Sequence, residues 1–377
     1  MNRTIEKSTL VFLLFLPIIP YISYLSFFIL LYCSIRSHKF KHISSNYYAY
    51  GLLGTVFLSC IFSVNKLLSL GAFMIFLCYL LSYFIFANIE LPKKKIVNAI
   101  ILSGIMLTVI GIAMYLSDFN FIFKNAFFRI KMGPLTSTLG NPNRFAKYLV
   151  LTTPIGFATL LFQKSLKEKV LSLIFMPLSF YSLWIIRSLG GVIAMSVAIL
   201  TVLWAKDKRV ALLFFVMGIG FYSVNYTKVN SLTSIHSAML RVNTLKYIVP
   251  QMFKARPITG CGLGAYRELS SKYGKEGHKG VYYHAHNLYA NYLCETGILG
   301  LSAFLLFLGM FFHRSIRFLS NFRPPNDKWL VVGGTASILG LLVYGISETC
   351  IDYLQIGLFF FSLIGIVTGV VKENLFG

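Results

Sequence analysis

Tyr282-Tyr283-His284-Ala285-His286-Asn287-Leu288-Tyr289-Ala290-Asn291-Tyr292-Leu293-Cys294-Glu295-Thr296-Gly297-Ile298-Leu299-Gly300 passes without a linker from histidines and asparagines into an apolar run that continues to residue 312. Uninterrupted apolar runs of about 18 residues or more read as transmembrane helices. His286 then stands at the membrane boundary. The same pattern recurs near 9–33, 46–64, 67–89, 96–116, 144–163, 170–186, 188–205, 210–224, 329–345 and 350–371. A signal peptide or single anchor explains only the first of these. Composition agrees: 56% of the chain is hydrophobic and 12% charged, about half the charged fraction of a soluble domain. The expected fold is all-α, a polytopic transmembrane helical bundle of about 11–12 membrane segments. The number turns on Leu16-Pro17-Ile18-Ile19-Pro20, where proline removes a donor and breaks a single long span into a hairpin of two short helices. The hairpin is the preferred reading.

Three regions follow. Residues 1–224 hold the N-terminal transmembrane helices, 225–285 form one long polar loop, and 286–377 hold the C-terminal helices. Within the loop, Leu232, Ile235, Met239, Val242, Leu245, Val249 and Phe253 recur at helical spacing over 231–253. That pattern predicts an amphipathic helix on the membrane surface.

Charge sets the orientation. Lys and Arg concentrate in 34–45, 90–95, 164–169, 206–209, 313–328 and the C-terminal tail, 17 in all, against five (Lys66, Lys124, Arg129, Lys131 and Arg187) in the alternate connections outside the long loop. The positive-inside rule assigns the first set to the cytoplasm and the long loop to the outside. The net charge of +23, 35 Lys+Arg against 12 Asp+Glu, then reflects topology and anionic lipid headgroups. No zinc-finger or RNA-binding motif supports a nucleic-acid partner. Six cysteines, mostly within spans, show neither a disulfide framework nor a CxxC site.

With this topology the unusual polar residues collect on the outer face. Thr138-Leu139-Gly140-Asn141-Pro142-Asn143-Arg144 precedes a span, and Arg187 lies in a tight hairpin. Arg241 sits on the amphipathic helix, and His236, His278, His284 and His286 lie in or at the end of the long loop. Glu295, Glu348 and Asp352 are acids within or beside spans, where charge is expensive and faces a cavity or partner. The glycine-rich Pro257-Ile258-Thr259-Gly260-Cys261-Gly262-Leu263-Gly264 lacks a preceding strand, so it is no dinucleotide fingerprint. The i, i+2 spacing of His284 and His286, with no adjacent acid or cysteine set, argues against a metal pair.

These residues resemble the O-antigen ligase and O-antigen polymerase family of bacterial envelope glycan enzymes. The resemblance rests on His286-Asn287-Leu288-Tyr289 through Glu295-Thr296-Gly297-Ile298-Leu299-Gly300, on Arg241 followed by Pro257 to Gly262, and on Gly140-Asn141-Pro142-Asn143, in the family's order. The family's serine-arginine-glycine turn is represented by Ile186-Arg187-Ser188-Leu189-Gly190-Gly191, with the arginine displaced. The resemblance implies a glycosyltransferase of lipopolysaccharide biosynthesis, multi-pass in the bacterial cytoplasmic (inner) membrane with its active site facing the periplasm. It would move an oligo- or polysaccharide from undecaprenyl diphosphate to lipid A-core, by an inverting route with no metal and no cofactor. The alternatives are a polymerase extending carrier-linked repeat units and, from another class, a transporter or lipid-glycan flippase.

Such chemistry needs a proton acceptor for a sugar hydroxyl and cations on the leaving diphosphate. His286 and Arg241 are the catalytic candidates; Arg187, Arg144, Asn287, Asn141, Glu348 and Asp352 are candidates for substrate binding or for holding the site. Each has a plainer reading. His286 can cap its helix, Arg241 and Arg144 can anchor at headgroups, and Asn141 with Pro142 can be a helix start. Glu348 and Asp352 can pair with a buried cation or fix the histidine tautomer.

Overall fold

The computed structural model describes residues 2–37, 46–89, 92–117, 136–224, 239, 241–270, 272–273, 283–320 and 327–376. The sequence breaks as its prolines direct. Helix α1 (Asn2–Phe15) and helix α2 (Pro20–Arg36) form a hairpin, with Pro20 in the first turn of α2, where its missing N–H costs nothing. Ser23 Oγ donates to Phe12 O at 3.1 Å across the pair. The remaining large helices are α3 (Tyr47–Ile61), α4 (Lys66–Asn88), α5 (Lys93–Leu116), α6 (Pro142–Phe162), α7 (Leu166–Ile186), α8 (Leu189–Lys206) and α9 (Lys208–Val224). After the short helices α10 (Val249–Ala255) and α11 (Tyr266–Ser270) come α12 (Leu288–Leu319), α13 (Lys328–Tyr344) and α14 (Leu354–Phe376).

Among the described residues, 7 helices are long and apolar enough to cross a bilayer: α4, α5, α6, α7, α8, α12 and α14. The apolar α2, α3 and α13 are shorter, 15 to 17 residues. The protein is an all-α polytopic membrane protein, and the expected segments near 46–371 each find their helix. Helix α6 is its axis, packed by α5, α7, α8 and α13, while α4 lies along α14 and α12 along α3.

Two groups of connections separate at opposite ends. At one end, Lys93 pairs with Asp327 at 3.1 Å and Glu373 at 2.5 Å, and Lys95 pairs with Glu6 at 2.5 Å. Lys94 pairs with Glu168 there too. These ties gather the starts of α5, α7 and α13 and the end of α14, on the side assigned from charge to the cytoplasm, with the start of α1, which the hairpin returns to that side. At the other end, Thr138 Oγ1 donates to the Pro17 carbonyl at 2.6 Å, Val64 N to Cys261 O at 3.0 Å and Leu288 N to Gly345 O at 2.7 Å.

Helix α12 is broken at Gly297 (φ 66, ψ −170), a conformation essentially confined to glycine. A break at this depth would orphan backbone groups. The glycine-rich turn repairs it. Cys294 O and Glu295 O lose the helical donors four residues on and accept instead from Cys261 N and Gly262 N, each at 2.9 Å. Ile298 N donates to Pro257 O at 2.9 Å. A Cβ on residue 297 would lie 2.2 Å from Ile258 O, so the close approach excludes any side chain. The buried Glu295 carboxylate accepts from Tyr266 N at 3.3 Å, fixing the start of α11.

The amphipathic segment differs from its sequence pattern. Leu232 and Ile235 lie outside the described residues. From Arg241 to Ala255 the backbone is helical, but Thr244–Ile248 form a π-helical turn, which inserts one residue into the repeat. The face against the protein is Thr244, Ile248 and Met252, packed on Cys261, Ala265, Tyr266 and Cys294. Met239, Val242 and Leu245, from the expected stripe, are exposed.

Candidate active site

The turn between α13 and α14 carries Ser347, Glu348, Thr349 and Asp352 at the end opposite the ion pairs. Glu348 is buried, 6% exposed, and its two oxygens have different partners. Oε1 lies 3.1 Å from His286 Nδ1 and also accepts from Thr349 N at 3.2 Å. Oε2 accepts from Asn143 Nδ2 at 3.3 Å. Because an ionised carboxylate only accepts, this contact assigns a proton to His286 Nδ1. His284 Nδ1 sits 3.7 Å from the same Oε1, too far for a hydrogen bond.

Burial pushes the Glu348 carboxyl up, but the hydrogen bond with His286 and the nearby Lys147 charge outweigh it and hold it at about 2. Burial, and then the neighbouring His286, lower His284 below the usual histidine range. The first is an anion and the second a neutral imidazole at neutral pH.

The elements explain these positions. Asn141 caps α6, its Oδ1 accepting from Asn143 N at 2.8 Å and Arg144 N at 3.3 Å, with Pro142 in the first turn. That start places Asn143 and, one turn deeper, Lys147 on the face toward the 345–353 turn. Lys147 is buried, 3% exposed; its ammonium donates to the Thr349 carbonyl and stands 3.7 Å from Asp352 Oδ1. Arg144 stacks on the Tyr353 ring at 3.9 Å, a cation–π contact. Asn287 caps α12 through Ala290 N at 2.8 Å and donates to Ile346 O at 2.8 Å. Both ends of its amide are thus spent on structure, and the helix cap belongs to Asn287, not to His286.

Arg241 Nε donates to Ser347 O at 3.1 Å, so this arginine is tied to the residue next to Glu348. Arg187 is exposed and ends α7 in a left-handed conformation, φ 53. Its neighbour Ser188 reaches the site: Oγ lies 2.7 Å from Tyr344 Oη and 3.4 Å from Asn143 Oδ1. Gly190 makes this possible, since a Cβ there would fall 2.6 Å from Ser347 Oγ.

The fold therefore brings His286, Arg241, Glu348, Asp352, Asn287, Asn141 and Arg144 to one end, with Arg187 joined through Ser188. Four residues that the sequence reading did not single out, Asn143, Lys147, Ser188 and Tyr344, complete the network. A lysine alone in an apolar span is the signal that finds one of them. His236 and His278 lie outside the described residues. The acid missing from the His284 and His286 pair in the sequence is supplied by Glu348, 62 positions after His286.

Fold and site together define a polytopic membrane protein with a histidine–carboxylate pair and an arginine gathered at one end of a helical bundle. Residues 148–305 match the family model described as O-antigen ligase. The match takes in Arg187, Arg241, the glycine-rich turn and His286, while Asn143, Lys147 and Glu348 flank it. No curated protein matches the chain.

Proposed function

We propose that this protein is an O-antigen ligase-like transferase that moves a glycan from undecaprenyl diphosphate to lipid A-core, at the periplasmic face of the inner membrane. The observation that carries the reading is the joining of His286 and Arg241 through one turn, His286 on the Glu348 carboxylate and Arg241 on the Ser347 carbonyl. The distribution of Lys and Arg supports the outward orientation.

In the proposed reaction an acceptor hydroxyl oxygen attacks the anomeric carbon as the bond from that carbon to the diphosphate oxygen breaks. His286 Nε2 takes the hydroxyl proton, and Glu348 stabilises the imidazolium through Nδ1–H. The electron pair leaves on undecaprenyl diphosphate. Arg241 uses one of its five N–H groups on Ser347, and its others suit the charge developing on the diphosphate. Direct displacement inverts the anomeric centre, and no step calls for a metal.

The test is lipopolysaccharide laddering in a deletion strain complemented with wild type or His286→Ala at matched expression. Polymer on lipid A-core with wild type, and polymer stranded on its carrier with the variant, is the expected result. Core bearing a single repeat with the variant replaces the ligase by a polymerase. Full restoration by the variant overturns the role of His286.

A further inference from the structure

His284 is unused by this chemistry, yet it is aimed at the same carboxylate oxygen as His286. Their rings meet edge to face with centroids 4.2 Å apart. Nδ1 of His284 is buried and has no hydrogen-bond partner among the described residues. The His286 backbone is left-handed, φ 51. Nδ1 of His286 lies 3.1 Å and Nδ1 of His284 3.7 Å from Glu348 Oε1, and each of the three residues offers a ligand atom within 4.8 Å of the other two. Tetrahedral zinc, with bonds of about 2.0–2.1 Å, sets neighbouring ligand atoms about 3.4 Å apart. The two nitrogen–oxygen separations bracket that edge. Two imidazoles and a carboxylate with an open fourth position are a ligand set that zinc accepts.

We propose that His284, His286 and Glu348 form a zinc-binding site superimposed on the proton-acceptor pair, so that Zn2+ inhibits the enzyme. Metal on His286 Nδ1 needs that nitrogen's lone pair, which moves the ring proton to Nε2. With Nε2 protonated, the imidazole cannot accept a proton from a hydroxyl. The metal also occupies the carboxylate that would stabilise the imidazolium. The inhibition, though not the site, rests on the proton-acceptor reading of His286.

The experiment uses full-length protein in detergent, purified without a histidine tag, stripped with a chelator and titrated with zinc sulfate against a zinc-binding dye. One zinc per chain is expected, with affinity reduced about tenfold or more in His284→Ala and in Glu348→Gln and unchanged in His313→Ala. Wild-type affinity no greater than that of His284→Ala overturns the site. Cobalt is the second measurement, independent of any variant: wild-type protein should develop the visible absorption of a four-coordinate ion, and its absence overturns the site. Zinc should also stop glycan transfer with a midpoint matching the dye titration. Saturated sites with unimpaired transfer would leave the metal site standing and remove both the inhibition and the proton-acceptor role of His286.

Discussion

His286 pays for its position with its backbone. A left-handed φ of 51 costs a residue with a β-carbon about 1–2 kcal/mol, and the strain is held by Asn287, whose amide clamps both α12 and Ile346. Glycine relaxes such a conformation and alanine does not. His286→Gly and His286→Ala are both expected to lose transfer, but the glycine variant should be the more stable by about 1 kcal/mol, read as a higher thermal midpoint. Glu348→Gln keeps the shape and removes the charge that fixes the imidazole; kcat should fall about 10- to 100-fold with KM nearly unchanged, measured with a carrier-linked donor. The same carboxylate sets a pH dependence. Its acid is held at about 2 against an ordinary 4.5, so its stabilisation is complete above pH 4.5 and is lost as pH falls from there toward 2. The thermal midpoint of wild type should drop through that window more than that of Glu348→Gln. At this scale the sequence revealed the histidine and the arginine, because each stands in a distinctive string. Asn143 and Lys147 stayed hidden: Asn143 reads with Asn141 as a helix start, and the partners of both lie about 200 positions away across the fold.

At the scale of elements, the break in α12 and the glycine-rich turn are one device. Gly297→Ala forces a side chain into Ile258 O and into a backbone region that alanine avoids, a cost of roughly 3 kcal/mol or more. Fluorescence-detected size exclusion should show loss of the monodisperse peak. Gly51→Ala, in a helix with open space around the site, should leave that peak intact. Periodicity revealed the helices, and the prolines revealed the α1–α2 hairpin, because both act through neighbours in sequence. The reason for Pro257-Ile258-Thr259-Gly260-Cys261-Gly262 was not legible: its donors and acceptors serve residues 294–299. From Leu245 onward the amphipathic register failed for a similar reason, since a π-helical turn shifts the positions after it and leaves no mark in composition; the exposure of Met239 and Val242, which precede the turn, has no such explanation.

Across the whole molecule, the ion pairs around Lys93, Lys94 and Lys95 close one end and the candidate site closes the other. That polarity is testable in intact cells. Cysteines placed at Leu67 (83% exposed) or Ile346 (60%) should react with a membrane-impermeant maleimide added outside, and one at Leu166 (68%) only after permeabilisation. The reverse pattern would turn the site to the cytoplasm. Native thiols give little background, being buried except for the partly exposed Cys78.

The order in which the site's parts occur along the chain has a consequence for biosynthesis. Asn143 and Lys147 are made first, Arg241 and His286 later, and the 345–353 turn that joins them comes after all of these. During insertion the nascent protein therefore holds Arg241 and His286 without the Glu348 carboxylate and Ser347 carbonyl that they contact, and the proposed site is assembled only when α13 and α14 enter the bilayer. On the proposed reading of the site, a ribosome stalled before residue 345 is expected to leave a fragment in the membrane that has the histidine and the arginine but no glycan-transfer activity.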